Sequence, residues 1–265
     1  MRRIQKSGQV RFSWRTMKFI TVEDYMDFKV VVLNRPEVKN AFQQEMIREL
    51  TEIFLKFRDD IKIRGVVLSG TGSAFCSGAD LNWMKEMVNY SLDENLKDSE
   101  KLWEMFEAIS LCKAPVIASV HGAVFGGALG LVACCDYVFA EQNTKFSFSE
   151  VRLGLAPAVI SSFLLRKTVD CFLRPLMLSA EIFNVEKAMQ AGLVHATFND
   201  SLDTALITKN FAENGLEAMR ETKALLNQIP EKSWIEQKKL TTKVISERRV
   251  SSEGQKKVNT FLNKK

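Results

Sequence analysis

The chain has 265 residues, of which 46% are hydrophobic and 26% charged, with only 13 Gly and 5 Pro, a composition that excludes disorder, collagen-like repeats and small disulfide scaffolds. The net charge of +5 comes from 37 basic and 32 acidic residues spread along the chain. This distribution does not indicate a nucleic-acid-binding surface, but a mildly positive protein suits an anionic ligand. The five cysteines show no C-x-x-C spacing and have only two histidines as co-ligands, so the sequence predicts a reducing, cytoplasmic location and no metal site.

The first sixteen residues are expected to form a basic leader ahead of the folded domain. Positions 1–18 carry six Lys or Arg residues, and no acidic residue precedes Glu23. The leader has no apolar segment of the kind that a secretory signal needs, and Met17 can serve as an alternative start. We expect a disordered leader over 1–16, with a transit peptide and a nucleic-acid-binding arm as the alternatives.

The next segment alternates between strand and helix patterns. The Val-rich run Phe28–Leu33 predicts a strand, and apolar residues at helical spacing from Gln43 onward predict an amphipathic helix. Residues 65–69 predict a second buried strand. A loop over 70–80 follows it, and helical patterns then continue to Glu107.

Residues 114–135 carry no charged side chain, a length sufficient for a membrane span. Pro115, His121 and several glycines interrupt this stretch, so a buried strand over 115–120, a glycine turn and a small-residue helix are the better interpretation. Three further strands are predicted, over 137–140, 145–148 and 194–197.

Strands that alternate with helices predict an α/β layer structure, with a core over residues 17–200. The pattern is helical almost throughout from Leu202, and residues 252–255 resemble a capping box at the start of a last helix. We expect residues 201–265 to be a helical region that packs on the core or on a neighbouring subunit.

Two glycine-containing loops, 76–81 and 121–130, each follow a predicted buried strand and open a helix. Such a junction leaves backbone N–H groups unpaired, and two of them aimed at one oxygen make an oxyanion hole. The alternative is a pair of tight turns that only glycine permits. Neither loop has the spacing of a dinucleotide site, a P-loop or a serine nucleophile elbow.

Glu150 lies among apolar residues just beyond a predicted strand. Burial there would raise its pKa toward the range useful for proton transfer, whereas the alternative is an exposed Glu150 paired with Arg152. Asp136 is interpreted as a buried turn residue that is hydrogen-bonded to backbone.

Five strings occur in an order that resembles the crotonase (enoyl-CoA hydratase/isomerase) superfamily. They are NRP with Asn40-Ala41, AFCSGADL from Ala74, PVIA from Pro115 with His121-Gly122 and Gly126-Gly127, Cys135-Asp136, and FSFSEV from Phe146. The resemblance runs from about Phe19 to the end of the chain. It implies a spiral of ββα units, a helical C-terminal region that makes trimers or hexamers, and a coenzyme A thioester as ligand.

The same resemblance implies roles for individual residues. The amides of Ala79 and Gly127 would form the oxyanion hole, and Glu150 matches the second of two glutamates that the family's hydratases use. The first glutamate would fall at Gly130, which we expect to leave room for a branched acyl group or a water molecule. The positions that line the coenzyme A arm are Glu37, Val38, Ala41, Ser77, Asp80 and Leu81, and the acyl pocket is expected to draw on Trp83, Met84, Met87, Phe125 and Ala158.

The function that this resemblance implies is hydration of a 2-enoyl-CoA thioester. The strings around Ala79, Gly127 and Glu150 are similar to a bacterial methylglutaconyl-CoA hydratase-like subgroup of leucine and terpenoid breakdown, which shares glycine at the Gly130 position. An enoyl-CoA isomerase and a non-catalytic binding protein of the same fold are the alternatives. No metal or redox cofactor is expected, because coenzyme A arrives as part of the substrate.

Overall fold

A seven-stranded sheet, parallel over most of its width, lies at the centre of the structure, a computed structural model that describes residues 15–199 and 203–263. Most of the expected leader therefore falls outside the described residues. The strands of this sheet are β1 (Arg15–Thr16), β2 (Ile20–Tyr25), β3 (Phe28–Leu33), β4 (Gly65–Gly70), β5 (Val116–Val120), β7 (Tyr137–Glu141) and β9 (Ala196–Phe198). They lie in that order, and all pairs from β3 to β9 are parallel.

Two short strands, β6 (Ala123–Phe125) and β8 (Lys145–Ser147), pair in parallel in a separate small sheet. The helices within the described residues are α1 (Gln44–Arg58), α2 (Leu81–Met87), α3 (Leu92–Ser110), α4 (Ala128–Cys134), α5 (Ala158–Lys167), α6 (Asp170–Ser179), α7 (Val185–Gln190), α8 (Thr204–Ala212), α9 (Leu216–Gln228), α10 (Trp234–Val250) and α11 (Ser252–Leu262). The predicted α/β class is confirmed.

Helix α1 shows how the sequence pattern builds the core. Its apolar residues recur every three or four positions, so they share one face of the helix, and Met46, Leu50 and Phe54 are fully buried. Glu49 is also buried and accepts hydrogen bonds from the amides of Lys18 and Phe19, at 2.6 and 2.9 Å. A buried carboxylate is stable there because two N–H groups replace its water.

The predicted strands and helices form close to their predicted positions, whereas β2 and β6 were not predicted. The fold also begins before Met17, because Arg15 and Thr16 pair with β2. The predicted capping box at 252–255 is wrong: Ser251, not Ser252, precedes α11, and its hydroxyl accepts from the amide of Gly254 at 3.0 Å.

Helix α9 joins the C-terminal helices to the sheet. The buried ammonium of Lys223 bonds Asp136 Oδ2 at 2.6 Å, and the same oxygen accepts from the amide of Val116 at 2.7 Å. Asp136 thus binds backbone as predicted, but its side chain is 36% exposed rather than buried.

Candidate active site

The loop between β4 and α2 presents one backbone amide to solvent. Phe42 donates to Gly78 O at 2.7 Å and accepts from the amide of Asp80 at 2.8 Å, forming a parallel bridge opposite Ala79. In such a bridge the central residue directs its own N–H away from its partner. The N–H of Ala79 accordingly donates to no atom of the described residues, and Ala79 is exposed.

A second loop, between β6 and α4, packs directly against the first. Gly78 has a φ of +95°, and a Cβ at that position would lie 3.0 Å from the carbonyl oxygen of Phe125. Glycine is therefore required for both the backbone conformation and the close approach. Gly127 follows at the start of α4, and its N–H also donates to no atom within the described part of the chain.

Two unpaired amides on adjoining loops are the elements of an oxyanion hole. Asn40 holds the first loop to its neighbours, because its amide donates to the carbonyl oxygens of Thr71 and Ala74 at 2.8 and 2.9 Å. Its carbonyl accepts from the amide of Arg35 at 2.7 Å. The site is therefore preorganised by the protein before any ligand binds.

The carboxylate of Glu150 lies against Gly126, the residue that precedes Gly127 in the second loop. Glu150 begins a 3-10 turn after β8, and its Oε1 is 3.4 Å from the point where a Cβ on Gly126 would be. Its Oε2 is buried and has no hydrogen-bond partner among the described residues. Burial raises the pKa of Glu150, and its own backbone amide only partly opposes that shift.

The alternative interpretation of Glu150, a surface residue paired with Arg152, is wrong. Arg152 is exposed, and no ion pair joins the two side chains in the described structure. A carboxylate with a raised pKa can accept and return a proton at a carbon next to a carbonyl that two unpaired amides polarise.

Comparison with known proteins shows the family of this chain. The family described as enoyl-CoA hydratase/isomerase matches residues 25–265, almost the whole chain. The chain belongs to this family. Its relatives include an enoyl-CoA hydratase from Alternaria alternata, AKT6-1, which is 32% identical over 184 residues, 69% of this chain and 60% of the relative.

The family also contains relatives named for a different reaction. The mouse mitochondrial Delta(3,5)-Delta(2,4)-dienoyl-CoA isomerase is 36% identical over 192 residues, 69% of this chain and 58% of the isomerase. The chain thus spans about three fifths of the length of these curated relatives. A solved structure of an enoyl-CoA hydratase from Shewanella pealeana superposes with a TM-score of 0.86 at 33% identity, covering 93% of this chain and 94% of the other.

Within this enoyl-CoA hydratase/isomerase chain, the position of the missing first glutamate is closed. A Cβ on Gly130 would lie 2.5 Å from Phe106 Cζ and 2.6 Å from Ile160 Cγ2, and all three residues are buried. The expectation that Gly130 leaves room for an acyl branch or a water molecule is therefore wrong. Phe106 and Ile160 already occupy that space.

The residues predicted to line the coenzyme A arm lie on two segments that are in contact. Ser77 links the segment 77–81 to the segment 37–41: its amide donates a hydrogen bond to Lys39 O at 3.0 Å, and its hydroxyl donates one to Val38 O at 3.4 Å. Leu81 is 73% exposed and open to a ligand. Glu37 is exposed, Val38 is half-buried and Ala41 is buried on the same segment.

Asp80 differs from the other predicted contacts because its carboxylate is already engaged. It pairs with the guanidinium of Arg35 at 2.9 Å and accepts from the amide of Asn82 at 2.8 Å, which caps α2. Burial alone would raise the pKa of Asp80, but the Asn82 amide and Arg35 together lower it. Its side chain therefore fixes the loop that carries Ala79.

The residues predicted to line the acyl pocket differ in their exposure to solvent. Trp83 is buried and its indole nitrogen has no hydrogen-bond partner in the described structure, while Met84, Met87 and Phe125 are half-buried. Ala158 is exposed at the start of α5. Their roles toward an acyl chain stay predictions.

Sequence reasoning missed four residues that build the site: Phe42, Phe106, Ile160 and Ser149. Phe42 directly follows the recognised Asn40-Ala41 pair, and Ser149 directly precedes Glu150, so both lie beside signals that were found. Nothing in the sequence marks Phe106 or Ile160 as neighbours of Gly130. The described residues contain no cluster of three or more potential metal ligands and no helix long and apolar enough to cross a membrane.

Proposed function

We propose that this chain is an enoyl-CoA hydratase that adds water to a 2-enoyl-CoA thioester and uses Glu150 as its single acid–base group. The observation that carries the proposal is the position of the Glu150 carboxylate against Gly126, in the loop that carries the unpaired amide of Gly127 and packs on the loop that carries the unpaired amide of Ala79. The family match and the naming of relatives as hydratases support the reaction class.

In this mechanism the thioester carbonyl accepts hydrogen bonds from Ala79 and Gly127. As water attacks the β carbon, negative charge develops on the carbonyl oxygen, and both bonds strengthen. Loss of one such donor typically costs about 3–4 kcal/mol of transition-state stabilisation. The two amides together supply the main electrostatic contribution.

Glu150 moves the proton. Its carboxylate takes a proton from the attacking water as the new C–O bond forms, and the α–β double-bond electrons pass to the enolate. The resulting carboxylic acid then gives that proton to the α carbon, which restores the thioester carbonyl and the ionised glutamate. The raised pKa of Glu150 suits the first half of this cycle, because it makes the carboxylate a stronger base toward water.

The finer proposals concern the acyl chain and the assembly. A branched acyl group such as methylglutaconyl now rests on the similarity to the hydratase-like subgroup alone, because Gly130 offers no space. Trimers or hexamers are supported by large apolar side chains exposed on α10 and α11, among them Trp234 at 83% and Phe261 at 70%. The five cysteines are free, which supports the cytoplasmic location.

Isomerisation of a 3-enoyl thioester is the second candidate. It is favoured by the single carboxylate at the site and by the closed Gly130 position, since moving one proton between two carbons needs neither a second acid nor a bound water. The likeness to a dienoyl-CoA isomerase agrees with it.

Liquid chromatography, which resolves the 2-enoyl and 3-enoyl isomers, followed by mass spectrometry, which detects added water, separates the two candidates. We expect crotonyl-CoA or 3-methylglutaconyl-CoA to gain one water in the presence of the protein. Conversion of 3-hexenoyl-CoA to its 2-enoyl isomer, with no hydration of either 2-enoyl substrate, would contradict the hydratase proposal and support the isomerase. Tight binding of all three thioesters without turnover would support a non-catalytic binding protein.

A further inference from the structure

A second protic side chain lies beside Glu150. Ser149 Oγ is 3.6 Å from the point where a Cβ on Gly126 would be, and Glu150 Oε1 is 3.4 Å from that same point. Ser149 and Glu150 are consecutive in the chain, but the turn after β8 brings both side chains to one face of Gly126. The hydroxyl and the carboxylate therefore border the same space, next to the amide of Gly127.

The hydroxyl of Ser149 makes no hydrogen bond that stabilises the described structure. Ser149 precedes the 3-10 turn Glu150–Leu153, a position at which serine commonly caps a helix, yet its side chain makes no capping bond. Its Oγ bonds no other atom of the described residues, and Ser149 is half-buried rather than sealed in the core. Ser147, two residues earlier, differs because its buried hydroxyl donates to Ala180 O at 3.1 Å.

Hydration needs a group in addition to the base. The attacking water must be held with one hydrogen toward Glu150 and its oxygen toward the β carbon, and a single carboxylate contact leaves the water free to rotate. The position that could carry a second carboxylate is filled by Phe106 and Ile160. A hydroxyl both donates and accepts hydrogen bonds, so it can bind a water molecule without adding charge near Glu150.

We propose that Ser149 is a positioning residue that holds the attacking water for Glu150. This inference rests on the proposed hydratase function. The hydroxyl of Ser149 bonds the water, the water's proton goes to Glu150, and the water's oxygen goes to the β carbon. Ser149 keeps its own proton throughout, so no bond to the serine forms or breaks.

The test compares Ser149→Ala with Ser149→Thr, which keeps the hydroxyl, and with Ser162→Ala, a matched control at an exposed serine on α5. We expect Ser149→Ala to lower kcat for hydration by about 10- to 100-fold, as misplacement of a reacting group does, with little change in KM. Ser149→Thr should recover most of that loss. Ser162→Ala should match wild type.

A second reaction separates water positioning from a structural role. Exchange of the α hydrogens of butyryl-CoA with deuterium needs Glu150 and the oxyanion amides, but no water attacks a carbon. Ser149→Ala should therefore exchange at the wild-type rate while it hydrates slowly. An equal fall in exchange and hydration would overturn the proposal, because it would show that Ser149 orients Glu150 instead.

The two proposals fail in different ways. If wild type hydrates, Glu150→Gln does not, and Ser149→Ala hydrates as fast as wild type, then the role of Ser149 is refuted and the hydratase stands. If wild type hydrates no 2-enoyl thioester, the proposed function is refuted and the role of Ser149 with it.

Discussion

The substitution Gly130→Ala tests whether Phe106 and Ile160 fill the space into which a side chain at position 130 would extend. Gly130 lies within α4, where alanine would be the better helix former by about 1 kcal/mol. An open position would show that gain as increased stability. A closed position would show the opposite, because the added methyl group would have to displace its neighbours.

The size of the effect follows from two contacts. A Cβ on Gly130 would lie 2.5 Å from Phe106 Cζ and 2.6 Å from Ile160 Cγ2, whereas nonbonded carbons rest at about 3.5–4.0 Å. Both side chains would have to retreat by about 1 Å in a close-packed core, and such overpacking costs about 1–3 kcal/mol. The net change in the free energy of unfolding is a loss of up to about 2 kcal/mol after the helix gain.

Urea denaturation of Gly130→Ala, Phe106→Leu and the double variant measures this directly. Leucine at Phe106 removes the ring atoms that crowd Gly130, so the double variant should be more stable than the sum of the single changes predicts, by about 1–3 kcal/mol. Gly130→Glu should be much less stable than Gly130→Ala, because it also buries a carboxylate. A Gly130→Ala variant about 1 kcal/mol more stable than wild type, with no coupling to Phe106, would refute the closed position.

Three further predictions concern the site and its support. Proline at position 127 fits the φ of −52° found there but has no amide hydrogen. Gly127→Pro should therefore lower kcat by about 10²–10³ while the circular dichroism spectrum and the oligomeric state stay unchanged. Retained turnover would exclude this amide from the oxyanion hole. Burial raises the pKa of Glu150 above 4.5, so turnover should decline on acidification with a midpoint above that value. Because the ionised carboxylate is buried at a cost at pH 7, Glu150→Gln should have a higher Tm than wild type at pH 7 but not below pH 4.5. An equal Tm at pH 7 would contradict a buried carboxylate. Asp136→Ala should lower the free energy of unfolding, measured by urea denaturation, by about 2–3 kcal/mol, which is less than for a fully buried pair because the carboxylate is partly exposed. A loss under about 0.5 kcal/mol would show that Lys223 needs no counter-ion.

The parts of the site that follow from local sequence were predictable. The strand Phe28–Leu33 has a continuous run of β-branched residues, and the glycines of the two loops mark the junctions that expose Ala79 and Gly127. Glu150 stood out because a charge among apolar residues is rare. Each of these signals lies within a few residues of the feature that it predicts.

The parts that depend on distant contacts were not predictable. Two strands, β5 and β6, separate Phe106 from Gly130 in the chain, and only the packing of α3 on α4 brings the ring of Phe106 to that position. Asp136 pairs with the buried Lys223, which lies 87 positions later in the chain, and nothing in the sequence marks the two as partners. At α11, the carboxylate of Glu253 accepts from the amides of Glu217 and Ala218 at the start of α9, a contact between helices that the local sequence does not indicate.

The most direct test of the account is the turnover of Glu150→Gln on a 2-enoyl-CoA thioester. Glutamine keeps the size and hydrogen-bonding capacity of the side chain but cannot accept the proton from water. We predict that kcat falls by about 10²–10⁴ while the Kd for butyryl-CoA, measured by calorimetry, stays at its wild-type value. Turnover within a few-fold of wild type in this variant would contradict the assignment of Glu150 as the acid–base group.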